Sequence, residues 1–510
     1  MESGTTPAGE GSAQAPPRPW LRVRSRAQSG VEAPEVTIEA HRPGGASGFS
    51  VVGMAQTAVR EARDRVKSAI KTMQLEFPSG QLVVNLAPAD LAKHGSRYDL
   101  AIAMSVLAAT RQIPARHLED LEFIGELSLY GEVRGVRGCF GAAMAALAAG
   151  RGLVFPMRNA GELGPLADAR LYPVRTLADA VHLARAREPA ARPLPPRLRT
   201  RQSTVPSLRD VKGQLAAKRA LTVAAAGGHH LLMRGPPGTG KTMLARRLTG
   251  LLPPLAPVEA VEVANIYSAA GRERRDPELR PFRDPHHTAS AAALIGGGTP
   301  ILPGEVSLAH GGVLFLDEIP EFRRDALESL REPLESSEVV VSRVRERCRF
   351  PAGFQLVAAM NPCPAGLLCD ETRCRCTPQQ VQRYQSRLSG PLLDRIDLNV
   401  EVGPVDEDEL WERAPPLDEA DLRRRVAATR TAQLAGRGKY NRDLDAREVE
   451  RHCALDAKGR RLLKLAVKEY GLSARAIHRV QKVARTIADL AGAESILGSH
   501  VAEALTYRVG

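Results

Sequence analysis

The sequence predicts an α/β core built on a parallel sheet, with an α+β domain before it and an all-helical segment after it. Three stretches predict the core. Leu231-Leu232-Met233-Arg234-Gly235-Pro236-Pro237-Gly238-Thr239-Gly240-Lys241-Thr242 reads as a strand that turns through glycines into a helix. Gly312-Val313-Leu314-Phe315-Leu316-Asp317-Glu318 is a continuous apolar run ending in two carboxylates, the pattern of a strand covered on both faces. Phe354-Gln355-Leu356-Val357-Ala358-Ala359-Met360-Asn361 is a third buried strand with a polar end.

The first stretch fits G-x-x-x-x-G-K-[ST] at every constrained position. Glycines let a chain curl until several backbone N–H groups point inward at a triphosphate. Gly235 to Thr242 would therefore cradle ATP, with Lys241 neutralising the β/γ oxygens, Thr242 offering its hydroxyl to Mg²⁺ and the following helix N-terminus facing the anion. An ordinary glycine turn before a helix is the plain alternative. On the second stretch Asp317 would hold Mg²⁺ and Glu318 would polarise the attacking water, against a merely structural strand with an acidic helix start. Asn361 would orient water beside the γ-phosphate, its plain alternative being a strand cap.

At 510 residues the chain has room for several cores, and its formal charge of +13 favours a polyanionic partner without proving one. No apolar run approaches the roughly 20 residues that cross a bilayer. The start, Met1-Glu2-Ser3-Gly4, lacks a charged region with an apolar one behind it, so a cytoplasmic location without membrane contact is expected. Seven cysteines are too few for a disulfide framework. Cys363, Cys369, Cys374 and Cys376 cluster and could close a tetrahedral Zn²⁺ site, although C-x5-C-x4-C-x-C is not two clean knuckles. Reduced thiols without metal compete with that reading.

In chain order, residues 1–19 are Gly/Pro/Ala/Ser-rich and expected to be disordered. Residues 20–187 mix alternating strands (36–40, 49–53, 81–86) with helices (58–66, 100–109). A Pro/Arg linker spans 188–206, the ATPase core 207–402, a polar linker 403–419 and a helical lid 420–510. His229 and His230 read as turn residues near the nucleotide. Pro285-His286-His287-Thr288 falls in an insertion with unusual turns; metal binding, DNA contact and a satisfied loop pair are open for its histidines, the last being favoured. A helix is expected over 323–334, then a hairpin over 339–350 with arginines at every second position, including Arg343, Arg345, Arg347 and Arg349. Arg395, before the strand 397–402, lies too late in the sheet to reach its own nucleotide easily, with Arg387 as its rival. Ser473 reads as the N-cap of a helix on which Arg475 could swing over the phosphates, while Arg479 and Arg485 decorate the surface.

Two resemblances follow from these residues. Asn85 to Leu91 and Ile124 to Arg134 resemble the C-terminal domain of Lon-type proteases, itself similar to the second domain of ribosomal protein S5. Where that family has its Ser-Lys dyad this chain has Tyr98-Asp99 and Phe140, so the resemblance implies a scaffold or binding domain and no peptide hydrolysis. Gly235 to Thr242, Val313 to Glu318, Met360-Asn361-Pro362-Cys363-Pro364, Leu388 to Asp397 and Leu472 to Leu490 together resemble the ComM/YifB group of magnesium-chelatase-like AAA+ ATPases. That resemblance implies a homo-hexameric ring, Arg395 as a finger acting on the neighbour, Arg475 as lid sensor, and the hairpin facing the pore. It also implies ATP-driven branch migration of DNA in natural transformation. A protein remodeller or metal-insertion chaperone is the competing expectation. Where the group shows Cys-Pro-Cys-Gly, this chain has Cys363-Pro364-Ala365-Gly366, with Cys369 as the substitute thiol.

Overall fold

A computed structural model describes residues 22–43, 46–53, 56–166, 170–186, 206–274, 276–343, 346–366, 376–405 and 418–509. The expected disordered start, nearly all of the first linker and most of the second therefore lie outside the described residues. The chain divides into two compact units, one running up to Pro195 and one from Pro196 to Gly510 that also takes in Ser29–Glu32.

In the first unit, strands on one side of the sheet alternate because one sheet face is buried there, whereas 121–123, 152–156 and 171–174 are buried throughout. Along Gln81–Ala87, Leu82, Val84 and Leu86 are buried while their neighbours are half-exposed, and Val36 and Ile38 do the same on Glu35–His41. Seven strands form one mixed sheet in the order 48–52, 81–87, 35–41, 22–26, 121–123, 152–156 and 171–174. The helices Gln56–Thr72 and Asp99–Ala109 contribute Val66, Ile70, Leu100 and Ile102 to the same core. The second helix is buried nearly all round, and so carries no amphipathic stripe.

The second unit is organised by five parallel strands in the order Phe282–Arg283, Val313–Leu316, Gln355–Met360, Leu231–Arg234 and Leu398–Glu401. Leu231 pairs in register with Val357 and Leu398, which puts alternate side chains on opposite faces. Leu231, Met233, Phe315, Val357 and Leu398 pack with the helices Leu215–Gly227 and Lys241–Leu251 and with the helical end. Leu232, Leu314, Leu316, Leu356 and Ala358 pack on the other face with Phe322, Leu330 and Phe350. Burial of one such Leu or Phe contributes about 1.5–3 kcal/mol, and strands apolar on both faces are the result.

Two elements differ from the sequence reading. Phe282–Arg283 is a strand rather than part of an irregular insertion; two residues cannot display a period. The helix expected over 323–334 is two short ones, Arg324–Glu328 and Pro333–Ser336, because Pro333 has no N–H to give to the preceding turn. The helical end comprises Glu419–Arg437, Ala446–His452, Ala457–Tyr470, Ala474–Leu490 and Gly498–Val509. Ser473 caps the fourth of these, accepting from the Ala476 N–H at 3.2 Å. No helix among the described residues is long and apolar enough to cross a membrane.

Candidate nucleotide site

All five strands run the same way, so the loops after them gather at one edge of the sheet. There the P-loop strand ends at Gly235, where a Cβ would run into the Val402 carbonyl oxygen; only glycine lets the backbone turn so close to its neighbour. Gly238 and Gly240 take φ of 80° and 90°, left-handed values that side-chain-bearing residues avoid. Gly240 is the N-cap of Lys241–Leu251 and has no side chain to block the free N–H groups of the first turn. Pro237 lies against Gly366, where an added Cβ would come within 3.2 Å of the ring. Thr239 Oγ1 donates to Pro236 O at 2.9 Å and closes the loop on itself.

Lys241 is buried, and its ammonium is held over the loop by Gly235 O and Pro236 O, each at 2.7 Å, and by Asn361 Oδ1 at 3.1 Å. Burial lowers its pKa, with Asp317 and Glu318 pulling the other way. Thr242 Oγ1 donates to Asp317 Oδ2 at 2.6 Å, so the hydroxyl and the carboxylate from two separate elements meet at one point. Two hard oxygens so placed fit Mg²⁺, which keeps its other positions for water and phosphate oxygens. Asp317 Oδ1 accepts from the Glu318 N–H at 2.9 Å, and Glu318 has a left-handed φ of 50° that turns its carboxylate away from the strand. Half of the Glu318 side chain is exposed, so water can reach it. Asn361 ends the neighbouring strand, and its backbone N–H meets the Tyr384 hydroxyl, a phenol that burial pushes up to about 12.

The loop after Phe282–Arg283 belongs to this site, which the sequence reading missed. His287 Nδ1 stands 3.8 Å from Glu318 Oε2, and its ring packs 4.1 Å from that of His286. His286 is satisfied locally by Thr288 Oγ1 at 2.9 Å, so only one of the pair fits the favoured loop role. Asp284 pairs with Arg246 at 3.3 Å; burial raises its pKa against that pull, and Asp317 nearby adds to the rise. The signal was the carboxylate–histidine spacing after a strand too short to recognise.

The geometry agrees with what the chain is similar to. The family model described as magnesium chelatase, subunit ChlI, matches residues 207–410; those for subunit ChlI of Mg-chelatase and for its C-terminal part match 38–159 and 418–508. The competence protein ComM of Haemophilus influenzae is 48% identical, covering 95% of this chain and 97% of its own. The chain belongs to the ComM/YifB family of magnesium-chelatase-like AAA+ proteins. YifB of Escherichia coli is 44% identical over 95% of this chain and 96% of its own. Lon protease 2 of Bacillus subtilis is 32% identical over 142 residues, 26% of each chain.

In this member of the ComM/YifB family the remaining expected residues do not all converge on the P-loop. Arg395 precedes the edge strand, at the opposite end of the sheet, and pairs with Glu335 while donating to Pro391 O at 2.6 Å. Arg387 pairs with Glu321 at 2.9 Å and is half-exposed. Arg475 is exposed and makes no hydrogen bond or ion pair among the described residues. It lies one helical turn, about 6 Å, from Arg479, whose Nη1 is 3.5 Å from Asp397 Oδ1 at that same opposite edge. Neither Arg479 nor Arg485 is a surface decoration. Arg485 is buried, donating to Asp489 Oδ1 at 2.8 Å and to the Glu494 and Ala493 carbonyls at 2.7 and 2.5 Å.

His229 and His230 are also far from the loop. They precede the P-loop strand and are buried at the opposite edge. His229 bridges Asp397 Oδ2 at 3.2 Å and Thr486 Oγ1 at 2.8 Å, while His230 Nδ1 accepts from the Leu356 N–H at 2.9 Å. Burial, helped by Arg442, pushes the His230 pKa well down, which agrees with an accepting ring nitrogen. Burial alone would raise the Asp397 pKa; the His229 hydrogen bond and the charges around it outweigh that and hold it well below the usual carboxylate range.

The hairpin is Glu338–Arg343 with Glu346–Pro351; Val339, Val341, Cys348 and Phe350 face the core while Arg343, Arg347 and Arg349 are exposed. Arg345 lies outside the described residues, as do Cys369 and Cys374. Cys363 is buried and Cys376 partly so, and no three metal-ligating side chains stand together among the described residues. Zinc therefore gains no support. At the Lon-like positions Tyr98, Asp99 and Phe140 are all buried, with Asp99 accepting from Arg65 at 2.7 Å.

Proposed function

We propose that this chain hydrolyses ATP with Mg²⁺ and uses the energy to move along branched or single-stranded DNA, as a homo-hexameric ring driving branch migration in the uptake and recombination of DNA. The observation that carries the hydrolytic half is the meeting of Lys241, Thr242, Asp317 and Asn361 at the mouth of one glycine loop, with Glu318 beside them. Thr242 and Asp317 would hold Mg²⁺, which when bound neutralises phosphate oxygens. Lys241 would exchange the Gly235 and Pro236 carbonyls for phosphate, Asn361 would place the attacking water, and Glu318 would take its proton. Arg395 and Arg475 lie at the edge away from their own P-loop, so the phosphates they serve would be a neighbour's. The DNA half rests on the exposed Arg347 and Arg349 of one hairpin face with the exposed Arg343 on the other near the turn, on the formal charge of +13, and on the likeness to a competence protein. Such work is cytoplasmic.

Junction unwinding by wild type against Lys241→Ala tests the whole reading; wild-type protein that neither binds forked DNA nor moves a junction with ATP would end it. The names of the matching family models favour one other reading, an ATP-driven chaperone of metal insertion. ATP turnover stimulated by DNA supports the motor, and turnover indifferent to DNA but stimulated by a protein partner supports the chaperone.

A further inference from the structure

The second unit holds a pocket that the ATP chemistry does not use. It measures about 230 Å³ and lies where the P-loop strand Leu231–Arg234 and the edge strand Leu398–Glu401 end, beside the last helix, Gly498–Val509. None of Gly235 to Thr242, Asp317 or Asn361 lines it, whereas Arg234, Asn399 and Glu401 do. Arg234 stands opposite Glu401 and Leu232 opposite Asn399 in the parallel register, so the three polar residues share one face of the two strands.

Arg234 Nε and Asn399 Oδ1 are buried atoms without a hydrogen-bond partner. Among the described residues Glu401, although directly across from Arg234, makes no ion pair with it. Buried polar groups are normally paired. Here a donor on one strand and an acceptor on the next are both left open at the same cavity. A guanidinium keeps its proton near neutral pH, so a cation and a carboxylate line one space, each without its counter-ion. Water can fill such a space, but it brings charge to neither.

Most of the remaining wall is apolar. Leu232 and Val400 are buried, and the buried Tyr507 has given its hydroxyl to Glu503 Oε1 at 3.2 Å, which leaves its ring for packing. The volume falls below the roughly 300 Å³ at which pockets for drug-sized molecules begin. Because the charges of the site cancel, Glu401 would oppose a phosphate ester or any other net anion. A neutral nucleobase would satisfy the open donor and acceptor and leave both charges uncompensated.

We propose that this pocket binds a free α-amino acid with an apolar side chain. The ligand carboxylate accepts from Arg234, the ammonium donates to Asn399 Oδ1 beside Glu401, and the side chain packs against Leu232, Val400 and Tyr507. Hydrogen bonds to ionised groups are roughly twice as strong as neutral ones, so a zwitterion suits this wall better than water or a base. Bound there, it braces the strand that leads into the P-loop against the helical end.

Calorimetric titration of the full-length protein with L-leucine, L-valine and L-phenylalanine tests the site. At least one should bind, and no heat from any of the three means a cavity holding water only and overturns the proposal. For leucine, leucinamide lacks the carboxylate and 4-methylpentanoate lacks the ammonium; each should bind about tenfold or more weakly, the loss expected for one bond to a charged group. Binding of either analogue as tightly as leucine overturns the zwitterion. Asn399→Leu fills the pocket and should abolish binding. Glu401→Gln, at an exposed position, should weaken it about tenfold and covers the case in which the leucine variant does not fold. Undiminished binding in either variant removes the ligand from this pocket. These readouts need neither ATP nor DNA, so failure here is distinct from failure of the motor reading.

Discussion

The two edges of the parallel sheet in the second unit use similar residues to opposite ends. At the edge after the strands, Glu318 is half-exposed and, among the described residues, its carboxylate pairs with a histidine alone, 3.8 Å away. At the edge before them, Asp397 is buried and receives the His229 ring, the His230 N–H at 3.3 Å and Arg479. The first carboxylate is left available for chemistry at a cost in local backbone strain. The second is consumed by structure, tying the strand ends to the helix Ala474–Leu490. Availability, more than residue type, separates a working group from a structural one.

The sharpest break in that comparison comes from Glu318→Gln, which should lower ATP turnover about 10²–10⁴-fold, the usual range for a lost general base, while nucleotide binding and unfolding midpoint stay put. A variant that binds ATP and still turns it over at the wild-type rate would remove Glu318 from the mechanism. Asp397→Ala should do the reverse at the other edge. It leaves a buried histidine and an arginine without their partner and should destabilise the second unit by about 3–5 kcal/mol in urea denaturation.

His230 sharpens the contrast through pH. Its folded pKa lies well below the ordinary 6.5, so the unfolded chain takes up a proton first as pH falls. The stabilisation is complete above about pH 6.5 and is lost on acidification towards the folded value, at up to about 1.4 kcal/mol per pH unit. His230→Asn, whose Oδ1 can accept the Leu356 N–H, should flatten that slope between pH 6.5 and 5. The smallest effect is expected from Ser473→Ala, about 1 kcal/mol for a lost N-cap, read as a small shift in the denaturation midpoint.

How much of this was legible depended on whether the chemistry constrained residue type. That the glycines and Lys241, the acids after Leu316 and the asparagine after Met360 come together was legible, because the phosphate cradle and metal proposed for them admit few substitutes at those spacings. The strand Phe282–Arg283 was not, since two residues show no alternation, and with it went the placement of Asp284 and His287. The His229-His230 pair was misplaced although the sequence held the answer: residues before a strand cannot share an edge with the loop after it. Arg485 was read as surface because charge suggests solvent, yet Asp489 four residues on is the partner a buried arginine needs.

The position of Arg395 and Arg475 has one practical consequence for the proposed ring. A chain diluted until it stands alone would keep its nucleotide pocket but leave Arg475 in bulk solvent and Arg395 on Glu335, with no neighbour's phosphates within reach of either, a lock without its key. Specific activity should then climb with enzyme concentration and fall off on dilution, so that newly made single chains would not drain the cell's ATP.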